Sequence, residues 1–373
     1  MTHTGKIIVL GLSLSSSWGN GHATTFRALL RGVKDAGSYH VQFLERDAPW
    51  YARQRDLLVP DFCDLDFYSS VGDLMDRYSC QFLQADAIVI GSYVPDGVEV
   101  IDAICALKPC RLCFYDIDTP VTLAKLDREE EEYIARRQIP CFDVYFSFTG
   151  GRTLARLSHD YGAKRPQALY CAVDLDLYRN TGERHEWDLG YLGTYSVDRQ
   201  QTLQKLLIEP ALQLPDRRFV IAGAGYPDAG GWPSNVEYIE HLPPSAHASF
   251  YSRQRFTLNV TRSDMVQAGW SPSVRLFEAA ACRTPLISDW WEGIDSLFPP
   301  DEAIVIARTC NDVVATLTNT SETERQAISD VAYRRVENDH SGHARARTFI
   351  EVIESIEPRG SLAPQHLEQH LPV

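Results

Sequence analysis

Apolar runs of strand length alternate with helix-length stretches along nearly the whole chain, and this alternation limits the fold more than any other feature. Residues 6–12, 39–44, 87–90, 112–115 and 143–148 are β-rich or continuously apolar, as buried parallel strands are, with helical spacing over 24–36 and again after Thr149-Gly-Gly151 to about residue 161. The second half repeats the plan. Strands are expected over 188–192, 219–222, 236–239, 256–260, 286–288 and 303–306, with helices over 198–212, 245–252 and 273–282. Such alternation predicts doubly wound sheets that bind ligands at the carboxyl ends of their strands. With 373 residues there is material for two cores. A junction near 172–178 divides the chain into an α/β unit over 1–172 and a second over 173–340. Residues 341–373 then supply a helix to about 356, packing back on the first unit, and a polar tail from Arg359. Small-molecule sites concentrate in clefts between such units.

Composition narrows the partners. The formal charge is −14, which argues against a nucleic-acid or anionic-membrane surface, since both need a basic footprint. Met1–Lys6 runs into a strand without the basic and apolar regions of an export signal, and no apolar run nears the roughly 20 residues of a membrane span. Nine cysteines, an odd number, are scattered through strand-like and helical stretches, the pattern of reduced thiols in a cytoplasmic protein. Cys110-x-x-Cys113 is half of a zinc pattern with no second pair nearby, so no metal site is expected.

Chemistry concentrates in residues 271–289, Ser-Pro-Ser-Val-Arg-Leu-Phe-Glu-Ala-Ala-Ala-Cys-Arg-Thr-Pro-Leu-Ile-Ser-Asp. A polar loop that opens a helix exposes unpaired N–H groups and the positive end of the helix dipole, which suits an anion. Glu278, about two turns further in, is placed to meet a neutral hydroxylated group, as a ribose beyond a diphosphate would be. The same residues also suit an ordinary strand–helix repeat. Trp18-Gly19-Asn20-Gly21-His22 opens the first helix with glycines that admit close backbone approach, but its spacing is not that of a dinucleotide fingerprint. Asp116 and Asp118, at the end of a buried strand, form a carboxylate pair suited to acid–base work on a hydroxyl, or a turn cap with a backbone acceptor. Arg199 and Arg262 follow strands and suit bidentate pairing with phosphate, although arginines at helix starts are common on surfaces. His22 is the histidine that falls within a motif; a lone histidine is more often packed than catalytic.

Taken in order, the glycine-rich first turn, Val173-Asp174 with Tyr178, Gly193 to Arg199, Ala222-Gly-Ala-Gly225 and residues 271–289 resemble the GT-B glycosyltransferases. The phrases Tyr115-Asp-Ile-Asp-Thr-Pro120, Phe256-Thr-Leu-Asn-Val-Thr-Arg262 and Ser271 to Ala281 are most similar to those of the CgeB-like (spore maturation protein) enzymes, related to the GT4 group. The resemblance reaches to about residue 355. It implies two Rossmann-like domains facing across a cleft, with a nucleotide sugar, UDP-linked by preference, held mainly by the second and an acceptor approached from the first. Glu278 then matches the ribose-binding carboxylate, Ser273, Val274 and Arg275 the diphosphate loop with Ser271 before it, and Arg199 a phosphate-binding lysine, with Gly193 ahead of it and Arg262 assisting. Asp118, Asp116 and His22 become the catalytic candidates, and Gly19, Asn20 and Gly21 the acceptor-side loop. Two positions depart from the family pattern: Thr194 replaces an arginine, and Trp270 replaces a sugar-contacting glutamate. No metal or other cofactor is implied, because helix dipole and basic side chains neutralise the leaving diphosphate. The acceptor stays open among saccharide, peptide and small molecule. Both stereochemical outcomes are permitted by these groups, with retention favoured by the likeness around Glu278. The alternatives are a sugar-nucleotide epimerase of the same plan and a non-catalytic nucleotide-sugar binder.

Overall fold

The computed structural model describes residues 4–17, 21–227 and 231–359. Seven strands make the first sheet: β1 (Gly5–Gly11), β2 (Tyr39–Arg46), β3 (Asp64–Tyr68), β4 (Ala87–Gly91), β5 (Leu112–Asp116), β6 (Val144–Ser147) and β7 (Pro166–Ala168). Their order is β3-β2-β1-β4-β5-β6-β7, and every pairing is parallel. Six more strands make the second: β8 (Trp187–Leu192), β9 (Phe219–Ala222), β10 (Val236–Ile239), β11 (Gln254–Asn259), β12 (Leu286–Ser288) and β13 (Ile304–Ile306). Its order is β10-β9-β8-β11-β12-β13, again all parallel.

Both sheets reverse their winding at one point, between β1 and β4 in the first and between β8 and β11 in the second. Parallel strands need crossovers, and a change of crossover direction opens a crevice at the carboxyl ends of the two central strands. Helix-covered faces explain the strand sequences. β4, Ala-Ile-Val-Ile-Gly, and β9, Phe-Val-Ile-Ala, are buried along their whole length. Each sheet has an apolar cluster on both faces.

The chain crosses between the sheets twice. After β7 it passes through Val173, and it returns through His340 and Ser341. Val173 donates its N–H to the His340 carbonyl, and Gly342 donates to the Val173 carbonyl, so the two crossings are tied together. The final helix, Gly342–Glu354, then packs on the first helix, Gly21–Ala36. Contact there is close enough to need glycine: a Cβ on Gly32 would lie 2.3 Å from the Gly342 carbonyl oxygen, and one on Gly342 would lie 2.2 Å from that of Ala28.

Several elements lie outside the expectations drawn from the sequence, among them β3, the helices Val71–Gln84 and Gly97–Leu107, and the three-residue β7. β3 (Asp-Leu-Asp-Phe-Tyr) is an edge strand with only its last residue fully buried, so it lacks the apolar run of a central strand. The stretch expected as one helix over 198–212 is helical from Val197 to Gln213, with a π segment at Gln204–Ile208. Trp18, Gly19 and Asn20 lie outside the described residues, as does the tail beyond Arg359.

Candidate nucleotide-sugar site

The helix Val274–Ala281 begins where β11 and β12 end, with Ser273 as its cap. The Ser273 hydroxyl accepts from the Arg275 N–H at 3.4 Å and from the Arg275 guanidinium at 3.1 Å. Ser273, Val274 and Arg275 are each partly exposed, so the first turn is open to a ligand. The positive end of the helix dipole lies at that turn.

Loop packing brings a cluster of cations to the same place. Gly193 donates to the Ala222 carbonyl, Tyr195 to that of Ala224, and the Tyr226 hydroxyl to the carbonyl of Gly193. The loops after β8 and β9 are thereby zipped together, and a Cβ on Gly223, at φ +146°, would collide with the Gly193 oxygen at 2.1 Å. Gly193 in turn leaves room for Arg275, whose guanidinium would lie 3.1 Å from a Cβ there and sits 5.5 Å above the Tyr191 ring. Arg199 is buried at 4% exposure, donates one N–H to the Thr194 carbonyl, and leaves its Nε unpartnered among the described residues. Its pKa is pulled below the usual value, first by burial and then by the charges of Arg275 and Arg262, against an opposing effect of Tyr191. Among the described residues none of these three arginines forms an ion pair. The nearby Asp198 carboxylate accepts instead from Ser196 and Ser263. Three guanidinium groups near one another, with no ion pair among the described residues, form a basic cluster suited to an anion, although the Asp198 charge also acts on Arg199.

Glu278 stands behind that opening at 6% exposure. The Tyr251 hydroxyl donates to it at 3.2 Å, and the Tyr178 hydroxyl reaches the His247 ring at 3.4 Å. Burial raises the pKa of both tyrosines, and the Glu278 charge raises them further. Burial lowers that of His247, with Glu278 opposing. Glu278 thus takes a hydrogen bond from one buried hydroxyl, with Tyr178 and His247 close by, and as a carboxylate it can also accept from a ligand hydroxyl. Tyr251 and His247 carry no signal in the sequence. They lie on a short helix, His247–Ser252, that only tertiary packing brings to Glu278.

Across the cleft the first domain presents His22 and Asp118. Their side chains are 3.8 Å apart, with His22 at 8% and Asp118 at 47% exposure. Asp118 begins the helix Thr119–Asp127 without using its carboxylate as a cap, which leaves that carboxylate open to the cleft. The Tyr93 ring meets His22 edge-on at 5.3 Å from a left-handed backbone position, φ +62°. His22 Nδ1 has no partner among the described residues.

The structure revises two expectations. Asp116 does not share the cleft with Asp118: β5 ends at Asp116, whose side chain is fully buried and accepts from Tyr145, Thr122 and the Asp118 N–H at 2.6, 2.8 and 3.1 Å. Desolvation raises its pKa to about 6 despite those bonds. Ser271 is also withdrawn, fully buried with its hydroxyl accepting from Thr149 of the first domain. The loop after β1 is held by buried Glu45, which accepts from the hydroxyls of Ser13 and Ser15 and the N–H groups of Leu14 and Ser15. Gly21 opens the first helix, with open space where a Cβ would stand, while Gly19 and Asn20 fall outside the described residues. Arg262 is exposed at the start of the helix Ser263–Ala268. Among the described residues no group of three His, Cys, Asp or Glu side chains is disposed to hold a metal ion, and no helix is long and apolar enough to cross a membrane.

Two doubly wound, all-parallel α/β domains of this strand order make the GT-B fold. Residues 199–351, most of the second domain, match the family model described as glycosyl transferase-like. Among solved structures, the chain superimposes on a sucrose-phosphate synthase from Thermosynechococcus elongatus with a TM-score of 0.68 at 12% identity, covering 94% of this chain and 98% of that one. An alpha-glucosyltransferase in complex with UDP gives 0.67 at 12%, covering 94% and 99%. HepE from Anabaena in complex with UDP-glucose gives 0.62 at 11%, also covering 94% and 99%. No curated protein matches the chain in sequence.

Proposed function

We propose that this protein transfers a sugar from a nucleoside diphosphate, UDP by preference, to an acceptor hydroxyl. The observation that carries the reading is Arg275 at an open helix start beside buried Glu278, with buried Arg199 near it and neither arginine in an ion pair among the described residues. The complexes of structurally similar proteins with UDP and UDP-glucose support the choice of nucleotide. In this reading the Ser273–Arg275 turn and the guanidinium groups hold the diphosphate, and Glu278 accepts from a ribose hydroxyl. The bond between the anomeric carbon and the diphosphate oxygen breaks while one to the acceptor oxygen forms. Charge developing on the diphosphate meets donors already in place, which supplies most of the rate. Asp118, with His22 beside it, orients the acceptor hydroxyl and takes its proton, and Asp116 holds the Asp118 backbone rather than the substrate. Membership in the CgeB-like group belongs to the same proposal, as does the absence of a metal requirement. Nine free cysteines support a reducing, cytoplasmic setting.

Titration with UDP, GDP and ADP monitored by thermal unfolding, then incubation with the matching nucleotide sugars with and without hydroxylated acceptors, tests this. Acceptor-dependent release of UDP is the expected result. Binding without turnover would make the protein a sensor or carrier, and interconversion of the sugar without any acceptor would make it an epimerase.

A further inference from the structure

Trp270, immediately before the phosphate-site loop, has φ +40°, a strained value for a bulky residue. The indole lies in a slot between two glycines, one from each domain. A Cβ on Gly151, in the loop after β6, would meet the indole Cε3 at 2.2 Å. One on Gly293, in the loop after β12, would meet its Cδ1 at 2.4 Å. Both glycines have positive φ, +55° and +95°. Hydrogen bonds fix both ends of the residue: Gly150 of the first domain donates to the Trp270 carbonyl at 2.9 Å, and Trp270 donates to the Glu292 carbonyl at 2.6 Å. Around this wedge Arg152 of the first domain bonds the carbonyls of Gln267 and Ala268 and pairs with Glu292 at 3.1 Å, while Thr149 donates to Ser271 at 3.1 Å.

Consecutive residues 149–152 of one domain thus grip residues 267–271 and 292–293 of the other, and the next residues along the gripped loop are Ser273 to Arg275. We infer that Trp270 is a positioning residue: its indole, seated across the domain boundary, fixes the loop whose N–H groups and Arg275 receive the diphosphate. The inference rests on the proposed function for the identity of the anion and on geometry alone for the latch. A loop held before ligand arrives does not have to be ordered by it, so nucleotide affinity reads the latch directly.

Three variants of the full-length protein test it: Trp270→Ala, which empties the slot; Gly151→Ala, which obstructs it from the first domain; and Arg152→Ala, which removes the outer strap and leaves the indole in place. Amide hydrogen exchange without ligand, followed by mass spectrometry, is expected to show lost protection at 149–152 and 267–276 in the first two and a smaller loss in the third, with exchange in β4 and β9 unchanged. UDP affinity is expected to fall about tenfold in Trp270→Ala, and saturating UDP to restore part of the protection. Unchanged exchange over 271–276 in both Trp270→Ala and Gly151→Ala would overturn the latch. Lost protection with no UDP binding even to the parent protein would uphold the latch and overturn the nucleotide reading instead.

Discussion

At the scale of single residues, the proposed site rests on guanidinium groups that form no ion pair among the described residues. Arg275 touches Ser273 and Asn259 and stacks above Tyr191, so replacing it leaves the fold's other contacts in place. Arg275→Ala is expected to slow transfer about a hundredfold, since one well-aimed donor contributes on the order of 3 kcal/mol to such a transition state. Steady-state rates at saturating donor check this. Asp118→Asn keeps size and shape but cannot take a proton, so transfer should be lost while UDP affinity is unchanged; full activity in this variant would remove Asp118 from the chemistry. Asp116 makes a prediction about pH. Burial raises its folded pKa to about 6, above the ordinary carboxylate value of 3.8. The native state therefore holds its proton longer, and the stability this contributes is complete below 3.8 and is lost as pH rises through about 6. A shift of this size corresponds to about 3 kcal/mol. Relative to the parent, Asp116→Asn should gain thermal stability at pH 8 compared with pH 5. A variant-minus-parent difference in unfolding midpoint that does not move with pH would contradict the assignment.

Elements owe their positions to small residues at close approaches. The first and final helices meet at Ala28, Gly32, Gly342 and Ala346, with a backbone carbonyl where a side chain at Gly32 would go. Gly32→Val is expected to destabilise the protein by about 3 kcal/mol through overpacking, read as a lower denaturant midpoint. The final helix was legible in the sequence as far as about residue 356, because Phe349, Ile350, Val352 and Ile353 supply an apolar side that joins the core of the first domain. Strands were legible where both faces are covered, as at β4, β9 and β12, because burial on both sides demands an unbroken apolar run. Edge strand β3 and short β7 were not, since half-exposed residues obey no such demand.

For the whole molecule, each domain has one switch point, and the domains are joined by two crossings tied at Val173 and His340 and by the grip on Trp270. A ligand bound at the second switch point stabilises the folded chain by mass action. UDP at a hundred times its dissociation constant should add about 2.7 kcal/mol, measured as a shift in thermal midpoint that follows nucleotide concentration; no shift with any nucleoside diphosphate would count against the site. Sequence alone determined the alternating α/β plan and the helix opening near residue 273 with Glu278 within it, because periodicity and loop chemistry are local properties written residue by residue. Only tertiary structure decided that Asp116 and Ser271 are sealed inside, that Tyr251 and His247 surround Glu278, and that Trp270 locks into the first domain. Those facts depend on pairs such as Ser271 with Thr149, 122 residues apart, and side chains that distant meet only when both sheets have closed on their cores.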